Sequence, residues 1–370
     1  MKILFVTQVV LGQQLGATRR IQSVARSIVR FGHELTIIAP GKEPEPVEGV
    51  RRVRPPAMLH PGARMDAALA SLAFSDAIRW HAEVAWMRLS ATTSFSPLLL
   101  STRLPVALEL DGRILDQLRA SGRDEASIRL VQESLKAVVK RSKLVFALGS
   151  RTAEHARKAL GAKDVRVIYD GVELDDPALC DRAEARAQLG LVLARPLVVM
   201  TGKLSDLRLD LLLAAQRSLG FALAISGQGP EEARVAQEAA RATADVPIFW
   251  LGSRDRASTA ELIRAADICI SVRELEVGSC AEYAAVGRRF VAFTVEGAAR
   301  IEALYPPGLS AATFVATRAT DALVDAISAA LRAEEHLGPL SPNDIMAARD
   351  ALSWDHTARL VLEGLESIRK

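Results

Sequence analysis

Short apolar runs alternate with longer amphipathic segments along almost the whole of this chain, and no other feature limits its fold as strongly. A continuous apolar run suits a strand buried on both faces, and an amphipathic segment between two such runs suits a crossover helix. The alternation therefore specifies parallel sheets covered by helices. In the first half KILFVT, ELTIIAP, EVAWMRL, PVALEL, KLVFAL and VRVIYDG read as strands. Between the first two, Ile21, Val24, Ala25, Ile28 and Val29 recur at helical spacing within residues 17–31, and Gly32 ends the run.

The alternation restarts near Pro196. PLVVMTG, ALAISG, IFWLGS, DICISV and RRFVAF are strand candidates, with the helical DLLLAAQRSL after the first. The tail SWDHTARLVLEGLESIRK places Ala358, Val361, Leu365 and Ile368 on one face, with Leu362 beside them, and reads as a terminal helix in spite of Gly364. At 370 residues the chain exceeds what one core ordinarily supports. The expected class is α/β, with two tandem Rossmann-like domains, residues 1–190 and 191–353. Residues 174–195, which include Asp175, Asp176 and Pro177, read as the linker region. Ligands of such sheets bind beyond the carboxyl ends of the strands, so a cleft between the two halves is the expected site.

Composition narrows the class further. With 49% hydrophobic and 25% charged residues the chain reads as soluble and globular. The net charge is only +3, yet basic residues exceed acidic ones in residues 1–195 and the reverse holds beyond. That asymmetry suits an anionic surface or substrate near the first half, although a solvated basic face is the commoner cause. Cys180, Cys269 and Cys280 are scattered without CxxC spacing, which indicates neither a disulfide framework nor a structural zinc and fits a reducing compartment. Thr7 and Gln8 interrupt the first apolar run, so it reads as a buried strand and not as a signal peptide. No stretch is long and apolar enough to span a bilayer. A cytoplasmic protein is expected, with peripheral contact at the inner membrane face, through the basic first domain, left open.

Several short stretches carry chemistry. QVVLGQQLG lies between the first strand and the first helix, where glycine lets backbone N–H groups approach a phosphate; it lacks GxGxxG, which disfavours a nicotinamide cofactor. Gly12 and Gly16 fit plain turns equally well. TGKLSDLR closes the first strand of the second half with Lys203 and Arg208, two cations suited to a diphosphate. GQGP, with Gly227 and Gly229, and the pair Gly252-Ser253 close two further strands, as tight turns or as bare backbone beneath a flat base. In RELEVGSCAEYAAVGRRFVAF, Ser279 and Glu282 have capping-box spacing, so local capping and ligand contact are both open for Glu282. Asp111 is either a turn residue before Gly112 or a group that orients a sugar or acts as a base. The histidines show no metal-ligand spacing, and neither a Walker loop nor a nucleophile elbow is present.

Taken in order, the glycine turn after the first strand, GHELTII, VIYDGVEL, TGKLSDLR, ISGQGP, WLGS, RAADICISV, the segment from Glu274 to Glu282 and the terminal SWDHTARLVLEGLE resemble the retaining nucleotide-sugar glycosyltransferases of the type B fold, in particular glycosyltransferase family 4. The likeness runs over nearly the whole chain. It implies two Rossmann-like domains facing each other across a cleft, with a C-terminal helix, residues 354–370, returning to the first. The first domain would bind the acceptor and the second the nucleotide sugar. Catalytic roles fall to Glu274 on the donor-sugar hydroxyls, to Lys203 and Arg208 on the diphosphate, and to Asp111. Donor contacts fall to Gly16, Gly202, Gly227, Gly229, Gly252, Ser253, Gly278, Ser279 and Cys280, with Glu282 on the ribose. A helix beginning near Ser279 would aim its N-terminus at the phosphates. Acceptor contacts fall to Arg88, Ser90 and Thr92.

The chain departs from the family pattern at definite places. Leu275 and Val277 stand where glycines are usual, Glu276 adds a carboxylate, Asp111 lies near a position commonly histidine, Leu15-Gly16 replaces a glycine pair and Asp170 replaces an asparagine. The resulting expectation is a retaining, metal-independent transfer from a nucleoside diphosphate sugar, UDP or GDP, to a hydroxyl acceptor on a glycan, a lipid-linked molecule or a small molecule. No cofactor and no nucleic-acid partner are expected, and an anionic acceptor would suit the basic first half. Two alternatives stand beside it: a sugar-nucleotide epimerase or hydrolase on the same fold, and a nucleotide-binding protein that has lost activity.

Overall fold

A computed structural model describes residues 1–12, 15–42, 45–55, 63–89, 104–112, 114–172, 182–191, 194–205, 207–272, 277–293, 312–315, 317 and 319–369. In chain order the first elements are β1 (Lys2–Thr7), α1 (Leu15–Arg30), β2 (Glu34–Ile38), β3 (Val50–Val53), α2 (Ala63–Trp80), β4 (Val84–Leu89), β5 (Val106–Leu110), α3 (Ile114–Ala120), α4 (Glu125–Arg141), β6 (Leu144–Leu148), α5 (Ser150–Leu160) and β7 (Val165–Ile168). There follow α6 (Arg182–Gln188), β8 (Leu197–Lys203), α7 (Leu209–Leu219), β9 (Ala222–Gln228), α8 (Glu232–Arg241), β10 (Ile248–Trp250), α9 (Arg256–Ala265), β11 (Ile268–Ser271) and α10 (Val277–Val286). The last are β12 (Arg289–Phe293), β13 (Ala312–Val315), α11 (Thr320–Leu337), α12 (Pro342–Leu352) and α13 (Trp354–Arg369).

Two compact units result, Met1–Gly171 with Trp354–Lys370, and Val172–Ser353. The first holds a sheet of order β3-β2-β1-β4-β5-β6-β7 and the second a sheet of order β10-β9-β8-β11-β12-β13. Every strand pair in both is parallel. These are two Rossmann-like sheets, as the alternation predicts. In each, strand order reverses beside the first strand, between β1 and β4 and between β8 and β11, and at such a switch point the connections leave toward opposite faces and open a crevice.

The core of the first unit explains its terminal helix. Ala358, Val361, Leu362 and Leu365 of α13 are buried in one cluster with Ile21, Val24 and Ile28 of α1 and with Trp86 and Phe146 beneath them. Gly364, which a propensity argument counts against the helix, lets α13 approach the sheet: a Cβ there would lie 2.5 Å from the Phe146 ring. Two strands were not legible in advance. β3 reads VRRV, interrupted by two arginines, and β13 reads ATFV, short and only partly buried, so neither shows a continuous apolar run. The division falls at Gly171/Val172, earlier than the 190/191 boundary, because Ala185 of α6 and Leu191 pack into the second core. Asp175, Asp176 and Pro177 lie outside the described residues.

Candidate functional site

In the second unit, β8 and β11 pair only at Val198 with Ile268 and at Val199 with Cys269. Beyond that the strands part, and Tyr283 of α10 fills the opening. Its hydroxyl accepts from the Thr201 backbone N at 2.9 Å and lies 3.3 Å from the Thr201 carbonyl and 3.4 Å from that of Ile270. Burial drives the Tyr283 hydroxyl well above its ordinary pKa, so it stays neutral and keeps its proton to donate. These contacts tie α10 to both strands at the switch point. The role was not legible in advance, since an aromatic residue in a small-residue helix reads simply as core.

Just past Tyr283's contacts the backbone is bare. Gly202 has φ +117, and a Cβ on it would fall 2.6 Å from Ser279 Oγ. A Cβ on Gly227 would fall 1.8 Å from the Gly202 carbonyl oxygen, so the ends of β8 and β9 meet only because Gly227 carries no side chain. The Gly227 N–H donates to the Gly252 carbonyl at 3.0 Å, and Ser226 Oγ donates to the same oxygen at 2.9 Å. Gly229 donates to Glu232 Oε1 at 2.7 Å, and exposed Ser253 follows Gly252. The structure thus gathers Gly202, Gly227, Gly229, Gly252, Ser253 and Ser279 at one end of the second sheet, its carboxyl edge.

The start of α10 needs one correction. The helix includes Val277 and Gly278, so Ser279 sits inside its first turn and does not cap it from outside; the capping-box reading of Ser279 fails. Glu282, one turn on, is half-buried on the same side of the helix as Ser279. Cys280 points elsewhere. Its side chain is buried in the second core and its thiol is pushed up to about 12 by burial, so any contact with a ligand would have to come from its backbone. Glu274, Leu275 and Glu276 lie outside the described residues.

Both expected cations sit at this edge. Lys203 is exposed at the end of β8. Arg208 precedes α7, its N–H donates to the Val272 carbonyl at 3.4 Å, and its guanidinium pairs with Asp210 at 3.0 and 3.3 Å. That hydrogen bond holds the Asp210 carboxyl below its usual range. Sequence reasoning did not foresee the pairing, although both residues stand in one short stretch. Any anion arriving at Arg208 would compete with a carboxylate already in place.

The first unit carries a different arrangement at its own switch point. Gly12 has φ +87 and donates to Thr18 Oγ1 at 3.1 Å, while Gly16 lies within the first turn of α1. Arg88, expected as an acceptor contact, has a buried side chain. It stands opposite Glu109 in the β4–β5 register, reaches Glu109 Oε1 at 3.2 Å and pairs with Asp111. Arg20 of α1 lies 3.3 Å from the same Glu109 oxygen and 3.1 Å from Asp170. Burial alone would lower the Arg88 pKa, but Glu109 and Asp111 outweigh it and the net shift is upward. A signal existed: an arginine in EVAWMRL and a glutamate in PVALEL interrupt strands that are otherwise apolar. Ser90 and Thr92 lie outside the described residues.

Among the described residues, no group of three or more His, Cys, Asp and Glu side chains could hold a metal ion, and no helix is long and apolar enough to cross a membrane.

The fold is that of the type B glycosyltransferases. Residues 16–176 match the model of Glycosyltransferase Family 4, so the first unit resembles that family specifically. Among solved structures, a glycosyltransferase from Rickettsia africae ESF-5 superposes with a TM-score of 0.74 at 17% identity, covering 100% of this chain and 98% of that one. Sucrose-phosphate synthase from Thermosynechococcus elongatus gives 0.70 at 16%, covering 99% and 98%. Anabaena Alr3699/HepE in complex with UDP-glucose gives 0.63 at 17%, covering 99% and 100%. At such identities the likeness establishes the fold. Comparison with curated proteins found no matching sequence.

Proposed function

We propose that this chain transfers a sugar from a nucleoside diphosphate donor, UDP- or GDP-linked, to a hydroxyl acceptor, with retention at the anomeric carbon. One observation carries the reading: bare backbone at Gly202 and Gly227, the first turn of α10 with Ser279, and the cations Lys203 and Arg208 all lie at the carboxyl edge of the second sheet. That combination suits a diphosphate, which needs close backbone approach, a helix N-terminus and positive charge. The match of residues 16–176 to Glycosyltransferase Family 4 and the UDP-glucose bound by a structural neighbour support it.

In this reading the bond from the anomeric carbon to the diphosphate oxygen breaks while the acceptor oxygen bonds to the same face of that carbon. The acceptor's proton passes to the departing phosphate oxygen, so no side-chain nucleophile is needed. Lys203 and Arg208 offset the charge that the leaving group gains and take the place of a metal ion. Glu274 engages the donor-sugar hydroxyls, Glu282 the ribose, and Asp111 orients the reacting partners in the first unit. The buried, reduced Cys269 and Cys280 fit work in the cytoplasm.

The test is incubation with UDP- and GDP-sugars and a panel of hydroxyl acceptors, followed by NMR of the product's anomeric proton. Retention predicts the donor's anomeric configuration in the product, and the opposite anomer contradicts it. Donor consumed equally without acceptor points to an epimerase or hydrolase.

A further inference from the structure

Five charged side chains meet at the carboxyl edge of the first sheet, and their burial sorts them by sign. Arg20 and Arg88 are each 4% exposed and share one oxygen of Glu109, itself 1% exposed. Each then reaches an outer carboxylate: Arg88 pairs with Asp111, 49% exposed, and Arg20 with Asp170, 53% exposed. Both cations are neutralised from within and without, and what solvent meets is two carboxylates. Two arginines against three carboxylates leave one net negative charge.

A second observation shows that the cluster is incomplete. Glu109 Oε2, on the carboxylate whose other oxygen serves both arginines, is buried with no hydrogen-bond partner among the described residues. Both amide atoms of buried Gln8 are in the same condition, and Gln8 follows Thr7, which stands opposite Arg88 in the β1–β4 register. Buried polar atoms without partners cost free energy, so this corner of the edge has hydrogen-bonding capacity that a water or a polar ligand would satisfy.

Resting on the transfer reading above, we propose that Asp111 and Asp170 form the recognition end of the acceptor site. They select a hydroxyl- or ammonium-bearing acceptor, neutral or cationic, over a phosphorylated one. Ionised carboxylates only accept hydrogen bonds, so hydroxyl and ammonium groups complement them and a phosphate is repelled. This reverses the expectation from overall charge: the excess of basic residues in the first half does not set the sign of this edge, because the arginines here stand behind carboxylates.

The test offers the protein, with a nucleotide sugar that raises its melting temperature, three matched acceptors: a neutral hexose, its 2-amino analogue and its 6-phosphate. The neutral or amino sugar is expected to exceed the phosphate in kcat/KM by at least about 10-fold. The isosteric double variant Asp111→Asn with Asp170→Asn is expected to shrink that ratio at least about fivefold. Ligand-observed NMR of the same sugars on the nucleoside diphosphate-loaded protein gives the ordering without turnover. A preference for the phosphate, a ratio that the double variant leaves unchanged, or no binding of any of the three overturns the inference. Failure of nucleoside diphosphates to bind removes the transfer reading itself, so the two failures are separable.

Discussion

A Cβ on Gly202 would lie 2.6 Å from the hydroxyl oxygen of Ser279, so the end of β8 and the first turn of α10 touch with no side chain between them. The contact defines the bare backbone on which a phosphate would rest. Gly202→Ala therefore brings a collision as well as a strained φ, the latter costing about 1–3 kcal/mol. Nucleoside diphosphate affinity is expected to fall at least about 10-fold. Ser279→Ala removes one half of the collision, so the double variant should bind more tightly than Gly202→Ala alone. Isothermal titration of the three variants measures this, and strictly additive losses would argue against a shared space.

Lys203→Ala and Arg208→Ala are each expected to lower turnover by roughly 10²-fold, since each removes one cation from the leaving group. The Arg208–Asp210 pair adds a sharper expectation. Asp210→Asn releases Arg208 from its exposed partner and should tighten diphosphate binding by roughly 2- to 5-fold. Weaker binding in that variant would mean that Asp210 steers Arg208 and does not compete for it.

Tyr283→Phe deletes a single oxygen, the partner of the Thr201 N–H at 2.9 Å in a fully buried position. A stability loss of about 1–3 kcal/mol is expected in chemical denaturation, as for any buried donor left without a partner. Because the same hydroxyl holds α10 at the switch point, nucleotide affinity should fall with it. Lost stability with unchanged affinity would confine Tyr283 to a packing role.

Glu109 receives the buried Arg20 and Arg88, so removing its charge leaves two cations without their common partner. Glu109→Gln is expected to destabilise the first unit by about 3–5 kcal/mol, the cost of breaking a buried ion pair on one side. A loss below about 1 kcal/mol in urea unfolding would mean that solvent reaches the arginines.

His33 and His356 each have a pKa below the ordinary 6.5. Burial is the main cause for both, aided by the Met1 ammonium 3.1 Å from His33 and by the charge of Arg359 near His356. The unfolded chain binds protons that the folded chain resists, so stability present above pH 6.5 is lost as pH falls through that value toward the depressed folded pKa values. The melting temperature should be lower at pH 5.5 than at pH 7.5, and the double variant His33→Gln with His356→Gln should narrow the gap.

How much of this was legible in the sequence depended on whether a residue's surroundings are local. The buried strands and α1 show their character in their own apolar spacing, and all were readable. β3 and β13 were not, because VRRV and ATFV are too short and mixed to stand out as apolar runs, whereas the edge strands β7 and β10 were legible. Lys203, Gly202 and Gly227 could be placed at strand ends, since a strand's end is a local event. The roles of Tyr283, Arg88 and Glu109 could not, because each depends on a partner brought in by the crossover topology: Thr201 for Tyr283, Arg20 and Arg88 together for Glu109. Arg88 is the instructive case. It was expected to meet the acceptor, and its opposition to Glu109 in the β4–β5 register places its side chain in the interior.

If the carboxyl edge of the second sheet holds a nucleoside diphosphate, a thermal-shift titration with UDP, GDP and their sugars will register it. The account predicts a concentration-dependent rise in melting temperature with at least one nucleoside diphosphate, greatly reduced in Lys203→Ala. No shift with any of them, or one that Lys203→Ala leaves intact, would contradict it.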